Sequence, residues 1–218
     1  RQIGQCCAEA NETAAVHVVI FRGAGDRAFC AGSDIKALEG YEDFWAWRNR
    51  LDYIPPILSL RKPAIAAVKG WDMGGGLEIA LACDLRVVAR SAIFAAPEVR
   101  LGWNGSFGAA QHLTRMCGQG QAMRLLLTGD RFDAEEAARI GMVEYLVAPG
   151  EELDSARAIA GQIAGHAPHA TQGVKAAVRG AMDLSLEQGL RNENELMSLC
   201  FAKAEQAKMR ARQSGDTR

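Results

Sequence analysis

Short runs of apolar residues, bounded by glycine, proline or charged residues, recur along the first 150 positions of the chain. Runs of this kind that are rich in β-branched residues are typical of buried strands. The pattern predicts strands at 16–21, 64–68, 85–89, 92–96 and 142–147. Between them, apolar residues recur at helical spacing, which predicts helices at 34–38, within 41–60, at 77–83, near 106–114 and 119–127, and from Asp133 onward.

Beyond residue 150 the pattern is helical only, with predicted helices near 151–165, 168–182 and 185–210. Strands that alternate with helices indicate an α/β domain. We therefore predict an α/β core over 1–150 and a helical C-terminal region over 151–218. Within the core, 29–33 and the glycine-rich 70–76 are predicted loops, and the pair Pro55-Pro56 is predicted to interrupt the helical pattern of 41–60.

Composition and charge argue against several classes of function. The chain has 218 residues, of which 49% are hydrophobic, and its 25 basic and 26 acidic residues give a net charge of −1. Non-specific nucleic-acid binding normally needs a strong basic excess, so no nucleic-acid partner is expected. No apolar run is long enough to predict a membrane helix. The six cysteines lack metal-ligand spacing, so we expect no metal site. An even number of cysteines is weak evidence for disulfides in a chain of this length, so we expect a reducing, cytoplasmic location.

The candidate chemistry begins with Gly74-Gly75-Gly76-Leu77-Glu78, which follows a strand and opens a helix. The first N–H groups of a helix lack internal acceptors and carry the positive end of its dipole, so they can stabilise developing negative charge. Glu78 lies three residues after Gly75 and therefore points from nearly the same helix face. The plainer interpretation is a tight turn with an acidic residue in the first helical turn.

Two other segments have similar features. The stretch 29–36, FCAGSDIK, follows a strand and offers another backbone N–H near Ser33; alternatively it is an ordinary glycine turn in which Asp34 caps a helix. Pro97-Glu98 also follows a strand, and its plainer interpretation is a surface acid in a turn.

Five segments in this order resemble the enoyl-CoA hydratase/isomerase (crotonase) superfamily. They are FCAGSDIK (29–36), PAIAAVKG (63–70), GGGLEIALACD (74–84), FAAPEVRLG (94–102) and LTGDRFDAEEAARIGMV (127–143). The resemblance extends from about residue 14 to 200. It implies a crotonase-like spiral of ββα units with a C-terminal helical trimerisation region. Because the chain starts at Arg1 without this family's first strands, we expect N-terminal strands to be missing.

The resemblance also assigns roles to residues. The backbone N–H groups of Ser33 and Gly75 would form the oxyanion hole for a thioester enolate, and Glu78 and Glu98 jointly would carry the acid–base chemistry. The coenzyme A thioester and its acyl group would be bound by eight residues, Ala31, Ser33, Asp34, Ile35, Lys36, Gly74, Gly75 and Ser106. Lys36 would face either the phosphates of the ligand or solvent.

These residues predict an enoyl-CoA hydratase that adds water across the α,β double bond of an acyl-CoA. Coenzyme A is part of the substrate, so no separate cofactor is expected, and the family implies a homotrimer or a hexamer. The loop 103–109 departs from the family pattern, with Gly105 in place of proline and Ser106 in place of glycine. That departure leaves open an enoyl-CoA isomerase or a specialised acyl-CoA hydratase or dehydratase. A non-catalytic oligomeric scaffold is the alternative of another class.

Overall fold

The computed structural model of the protein describes residues 2–38, 40–105 and 108–213. The helices are α1 (Gln2–Glu12), α2 (Ile35–Leu38), α3 (Phe44–Arg48), α4 (Ile54–Leu58), α5 (Gly75–Ala82), α6 (Ala109–Cys117), α7 (Gln119–Thr128), α8 (Ala134–Arg139), α9 (Glu152–Ala164), α10 (Pro168–Gly180) and α11 (Leu186–Gln213). The strands are β1 (Val19–Arg22), β2 (Ala28–Cys30), β3 (Ala64–Val68), β4 (Trp71–Met73), β5 (Leu85–Ala89), β6 (Ile93–Ala95), β7 (Phe132–Asp133) and β8 (Tyr145–Val147). A short 3₁₀ helix covers Pro97–Leu101.

The strands form two four-stranded sheets. One has the order β1-β3-β5-β8 and is parallel throughout. The other has the order β2-β4-β6-β7, and its last pair is antiparallel. Each pass of the chain therefore adds one strand to each sheet, and α5 follows the β3–β4 pair. This arrangement confirms the predicted α/β spiral of ββα units, and α9 to α11 form the predicted helical C-terminal region.

The site is built around the most deeply buried elements, β3 and α5. All five residues of β3 and all eight residues of α5 are buried. A strand between two parallel neighbours has both faces covered, which explains why β3 reads as a continuous apolar run. On the side of the sheet away from α5, Ile65 and Val87 pack with Ala156 and Ile159 of α9. Because α5 is enclosed on all sides, its N-terminus is held in a fixed place.

Two polar networks hold the C-terminal end of α5. The buried guanidinium of Arg86 donates hydrogen bonds to the carbonyl oxygens of Cys83 (2.9 Å) and Met142 (2.8 Å) and forms an ion pair with Glu144. Asp84 accepts a hydrogen bond from the Ala64 N–H at 2.7 Å. Asp84 also forms ion pairs with Lys175 (2.7 Å) and Arg179 (2.8 Å), which tie α10 to the core.

The structure differs from the sequence predictions in several places. The predicted loops 29–33 and 70–76 contain part of β2 and all of β4, because three-residue strands are too short to produce a visible periodicity. The prolines at 55 and 56 open helix α4 rather than interrupt one, since the first turn of a helix needs no N–H donor. Strand β8 covers only the second half of the predicted 142–147. Helix α1 was not predicted.

The longest helix, α11, has 28 residues and exposes apolar side chains among many charged ones. Among the described residues, no helix combines the length and the apolar character that crossing a bilayer requires.

Candidate active site

A cavity of about 640 Å³ opens between the start of α5, the end of β2 and the 3₁₀ helix. It collects most of the predicted site residues in its wall: Ala31, Ser33, Ile35, Gly74, Gly75, Glu78 and Glu98. A larger cavity of about 1000 Å³ lies between α5, α6 and α10. Neither Glu78 nor Glu98 is among the described residues that line it. The smaller cavity is therefore the candidate active site.

Gly74 places the start of α5 against the Glu98 carboxylate. Its φ of +55° lies in the region that side chains rarely adopt. A Cβ at this position would lie 2.9 Å from Oε1 of Glu98. The positive φ favours glycine at this turn, and a methyl group here would displace the Glu98 carboxylate, so the turn and Glu98 are in direct contact.

Gly75 is the first residue of α5, and the first intrahelical hydrogen bond runs from the Glu78 N–H to the Gly74 carbonyl at 3.1 Å. Ser33 lies beside it, because a Cβ on Gly75 would be 3.6 Å from the Ser33 Oγ. The two residues whose N–H groups were predicted to form the oxyanion hole therefore line the same wall. Their role as donors to a thioester stays a prediction.

Glu78 is buried, with 2% of its surface exposed. Its Oε1 accepts a long hydrogen bond, 3.4 Å, from the N–H of Ala109 at the start of α6. A Cβ on Gly105 would lie 3.6 Å from the same oxygen. The loop 103–109, which departs from the family pattern, thus borders Glu78 directly. The predicted binding residue Ser106 falls in this loop but lies outside the described residues.

Glu98 projects from the 3₁₀ helix that follows β6 and is half-buried. The Trp103 N–H donates to its backbone carbonyl at 3.0 Å, which fixes the turn that carries it. Burial raises the pKa of the Glu98 carboxyl above its usual value. A carboxyl with a raised pKa retains its proton closer to neutral pH. A group that both accepts and donates protons during catalysis works best when its pKa is near the working pH.

Sequence reasoning missed Tyr53, whose side chain reaches the same wall. Its Oη lies 3.3 Å from the Ser33 Oγ, and a Cβ on Gly75 would be only 1.9 Å from it. Burial raises the pKa of Tyr53, so the phenol stays neutral. The signal that could have found it is the Pro55-Pro56 pair, which places a helix start, and hence a fixed side chain, at this point.

The mouth of the cavity also contains an aromatic and cationic pair that the sequence did not reveal. The guanidinium of Arg50 stacks over the Trp47 ring at 4.0 Å and donates to the Trp47 carbonyl at 2.8 Å. Trp103 lines the cavity with them. Together these residues give the opening an apolar surface beside a positive charge.

Two of the predicted binding residues, Asp34 and Lys36, are not among the described residues that line the cavity. The Asp34 carboxylate accepts a hydrogen bond from the Lys36 N–H at 3.0 Å, as expected for a residue that caps a helix. Both side chains are exposed. Their contact with coenzyme A stays a prediction. Within the part of the chain that the structure describes, no group of three or more His, Cys, Asp or Glu side chains is placed to hold a metal ion.

Comparison with known proteins gives a consistent result. The family model for enoyl-CoA hydratase/isomerase matches residues 2–213. The crotonyl-CoA hydratase of Syntrophomonas wolfei is 38% identical over 201 residues, which cover 90% of this chain and 76% of the relative. The (E)-benzylidenesuccinyl-CoA hydratase of Thauera aromatica is 40% identical over 177 residues, covering 80% and 69%.

A solved structure, the enoyl-CoA hydratase subunit I of Geobacillus kaustophilus, superposes with a TM-score of 0.86 at 33% identity. The superposition covers 99% of this chain and 85% of that one. With the family model matched over nearly its whole length, the chain belongs to the enoyl-CoA hydratase/isomerase family.

Proposed function

We propose that the cavity between α5 and the 3₁₀ helix is the active site of an enoyl-CoA hydratase, with Glu78 and Glu98 as its acid–base residues. The observation that carries this proposal is that both glutamates line one cavity at the glycine turn that opens α5. The hydratase activity itself is supported by relatives of that name, one of them 38% identical across 90% of the chain. The protein is accordingly an enzyme of the hydro-lyase class.

The oxyanion hole supplies the electrostatic part of the mechanism. The N–H groups of Ser33 and Gly75 donate hydrogen bonds to the thioester oxygen. Negative charge collects on that oxygen when water adds to the β-carbon, so these bonds are stronger in the transition state than in the substrate. Loss of one such donor typically costs about 2.7–4 kcal/mol of transition-state stabilisation.

The glutamates supply the proton transfers. One carboxylate takes a proton from water as its oxygen bonds to the β-carbon, and the electron pair of the double bond moves towards the thioester. A protonated carboxyl of the pair then gives its proton to the α-carbon, which restores the thioester and returns the pair to its starting charge. We assign Glu78 and Glu98 to these steps jointly, because both face the cavity. General acid–base catalysis of this kind typically contributes about 10²–10⁴-fold.

The substrate enters as a thioester of coenzyme A, and the reaction needs no further cofactor. We propose that the segment from Ala31 to Lys36 contacts the coenzyme A moiety, with Ala31, Ser33 and Ile35 on the cavity wall and the exposed Asp34 and Lys36 outside it. An isomerase would need one base and no bound water. The two glutamates and the hydratase relatives favour hydration over isomerisation and over a non-catalytic scaffold.

The function is tested by incubating the protein with a panel of enoyl-CoA thioesters and measuring product masses. Hydration is expected to give a product heavier by one water, with loss of the enoyl absorbance. Double-bond migration without a mass change would favour the isomerase. Turnover of no member of the panel would contradict the proposal.

We propose further that the chain assembles as a homotrimer or as a hexamer made of two trimers. The support is the set of apolar side chains that α10 and α11 expose: Val174, Val178, Leu186, Leu190, Met197, Leu199 and Phe201. Exposed apolar surface of this extent is typical of an interface. Light scattering on a size-exclusion column is expected to give three or six times the chain mass, and a monomer would contradict this.

A cytoplasmic location is also proposed. All six cysteines, which lie within the described residues, are free thiols, as expected in a reducing compartment. Cell fractionation tests this, and recovery in an extracytoplasmic fraction would contradict it.

A further inference from the structure

We infer that the hydroxyl of Tyr53 is a third hydrogen-bond donor to the thioester oxygen, so that the oxyanion hole consists of two backbone amides and one phenol. The inference rests on the proposed active site. It adds a residue that neither the sequence motifs nor the glutamate pair supplies.

The position of the hydroxyl is the first argument. Oη of Tyr53 contacts both residues whose amides form the proposed hole, lying 3.3 Å from the Ser33 Oγ and 1.9 Å from where a Cβ on Gly75 would be. It also lines the same cavity as Glu78. The phenol therefore lies on the stretch of cavity wall that Ser33 and Gly75 form.

The rigidity of the phenol is the second argument. Tyr53 immediately precedes α4, whose first turn is set by Pro55 and Pro56. The next residue, Ile54, is 2% exposed, and Ile57 is fully buried, so the helix is anchored in the core. A side chain carried by an anchored helix start holds its hydroxyl in one place before the substrate arrives, which is what electrostatic stabilisation of a transition state requires.

The direction of the hydrogen bonds in the complex is part of the inference. The Ser33 and Tyr53 hydroxyls can each donate to the other. With a thioester bound, the serine hydroxyl donates to the Tyr53 Oη, and the phenol proton points to the thioester oxygen. The phenol has the stronger acid character of the two, so it is the better donor to an oxygen that gains negative charge.

The alternative is that Tyr53 only fills the space above Gly75. The two roles are separated by replacing Tyr53 with phenylalanine, which keeps the ring and removes the donor. Tyr145→Phe is the matched control, because Tyr145 lies on β8, is 43% exposed and does not line the cavity. Both variants are compared with the unaltered protein by circular dichroism before the assays.

The first measurement is kcat and KM for crotonyl-CoA. The second is the absorption spectrum of bound 4-(dimethylamino)cinnamoyl-CoA, which moves to longer wavelength as hydrogen bonds to the thioester oxygen draw electron density from the amine. We expect Tyr53→Phe to lower kcat about 100-fold with little change in KM and to reduce the spectral shift. Tyr145→Phe is expected to change neither.

A Tyr53→Phe variant with unaltered kcat and an unaltered spectral shift would overturn the inference and leave the proposed function standing. An unaltered protein that neither shifts the probe nor hydrates crotonyl-CoA would overturn both. If Tyr53→Phe does not fold, 3,5-difluorotyrosine at position 53 keeps the shape and ionises at lower pH. The alkaline limit of kcat should then move to lower pH, and an unmoved limit would overturn the inference.

Discussion

The carboxylate of Glu98 lies directly against Gly74, with its Oε1 2.9 Å from the position that a Cβ on Gly74 would take. One glutamate of the proposed pair therefore packs on the turn that presents the Gly75 amide. A change in the turn would move both Glu98 and the Gly75 amide. The acid–base group and the oxyanion hole are therefore coupled through Gly74.

This coupling predicts that Gly74→Ala abolishes most hydratase activity. The added methyl group meets both an unfavourable φ of +55° and the Glu98 carboxylate. The matched control is Gly150→Ala, where φ is +92° and no heavy atom lies within 4 Å of the added carbon. Each variant should lose about 1–3 kcal/mol of unfolding free energy, because a side chain at a positive φ strains the backbone. Urea unfolding and crotonyl-CoA assays check this, and equal activity loss in both variants would contradict the coupling.

The contact between Tyr53 and Gly75 predicts a non-additive pair of substitutions. Gly75→Ala alone should destabilise the protein, because its Cβ would lie 1.9 Å from the Tyr53 Oη. Removing that oxygen leaves the ring carbon Cζ at 3.1 Å, a contact that a small shift relieves. The double variant with Tyr53→Phe should therefore recover part of the lost unfolding free energy. Strict additivity in a thermal-unfolding cycle would show that the two residues do not meet as described.

The buried Arg86 is expected to stabilise the fold far more than the exposed Arg90. Arg86 is 3% exposed, so Arg86→Met removes its ion pair with Glu144 and leaves the buried carbonyl oxygens of Cys83 and Met142 without their side-chain donor. The expected cost is about 3–5 kcal/mol of unfolding free energy. Arg90→Met, which removes an exposed ion pair with Glu135, should cost no more than about 1 kcal/mol. Similar urea midpoints for the two variants would refute the ranking.

Asp72 should make the protein less stable as pH rises. It is fully buried, neither carboxyl oxygen has a hydrogen-bond partner in the described part of the structure, and burial raises its pKa well above the usual value. An aspartic acid in the unfolded chain has a pKa of about 3.9, whereas the pKa of Asp72 in the folded chain is higher. Between these two values Asp72 is protonated in the folded chain and ionised in the unfolded chain. The unfolding free energy therefore falls with rising pH through that window, and Asp72→Asn should remove this slope.

Urea unfolding at a series of pH values measures the Asp72 effect. Asp26→Asn is the control, because Lys69 lowers the pKa of Asp26, so its effect has the opposite sign and, at a fully exposed carboxylate, is small. An unchanged slope in Asp72→Asn would mean that Asp72 does not carry a raised pKa.

Local signals in the sequence predicted the α/β core and the glycine turn, whereas the spiral of ββα units was predicted only by the family resemblance. β3 is a continuous apolar run, and the three-residue offset between Gly75 and Glu78 places them on one helix face without any tertiary information. Glu98 was placed only by the family resemblance, since its local pattern reads equally well as a surface turn. Its burial and its contact with Gly74 arise from the packing of separate elements.

Tyr53 was missed for the same physical reason. It lies 20 residues from Ser33 and belongs to a segment whose prolines suggested an interruption. Only the docking of α4 on the core brings its hydroxyl to the cavity. The short strands β2 and β4 escaped prediction because three residues carry no periodicity, although their pairing fixes the second sheet.

The most direct test of the account is the rate of crotonyl-CoA hydration by the unaltered protein and by Glu78→Gln, Glu98→Gln and the double variant. Glutamine keeps the shape of each side chain and removes its acid–base function. We predict a fall of about 10²–10⁴-fold for each single variant, with the double variant little worse than the poorer single one, because the two groups act as a unit. Normal turnover by the double variant would contradict the central claim that these two carboxyls carry the reaction.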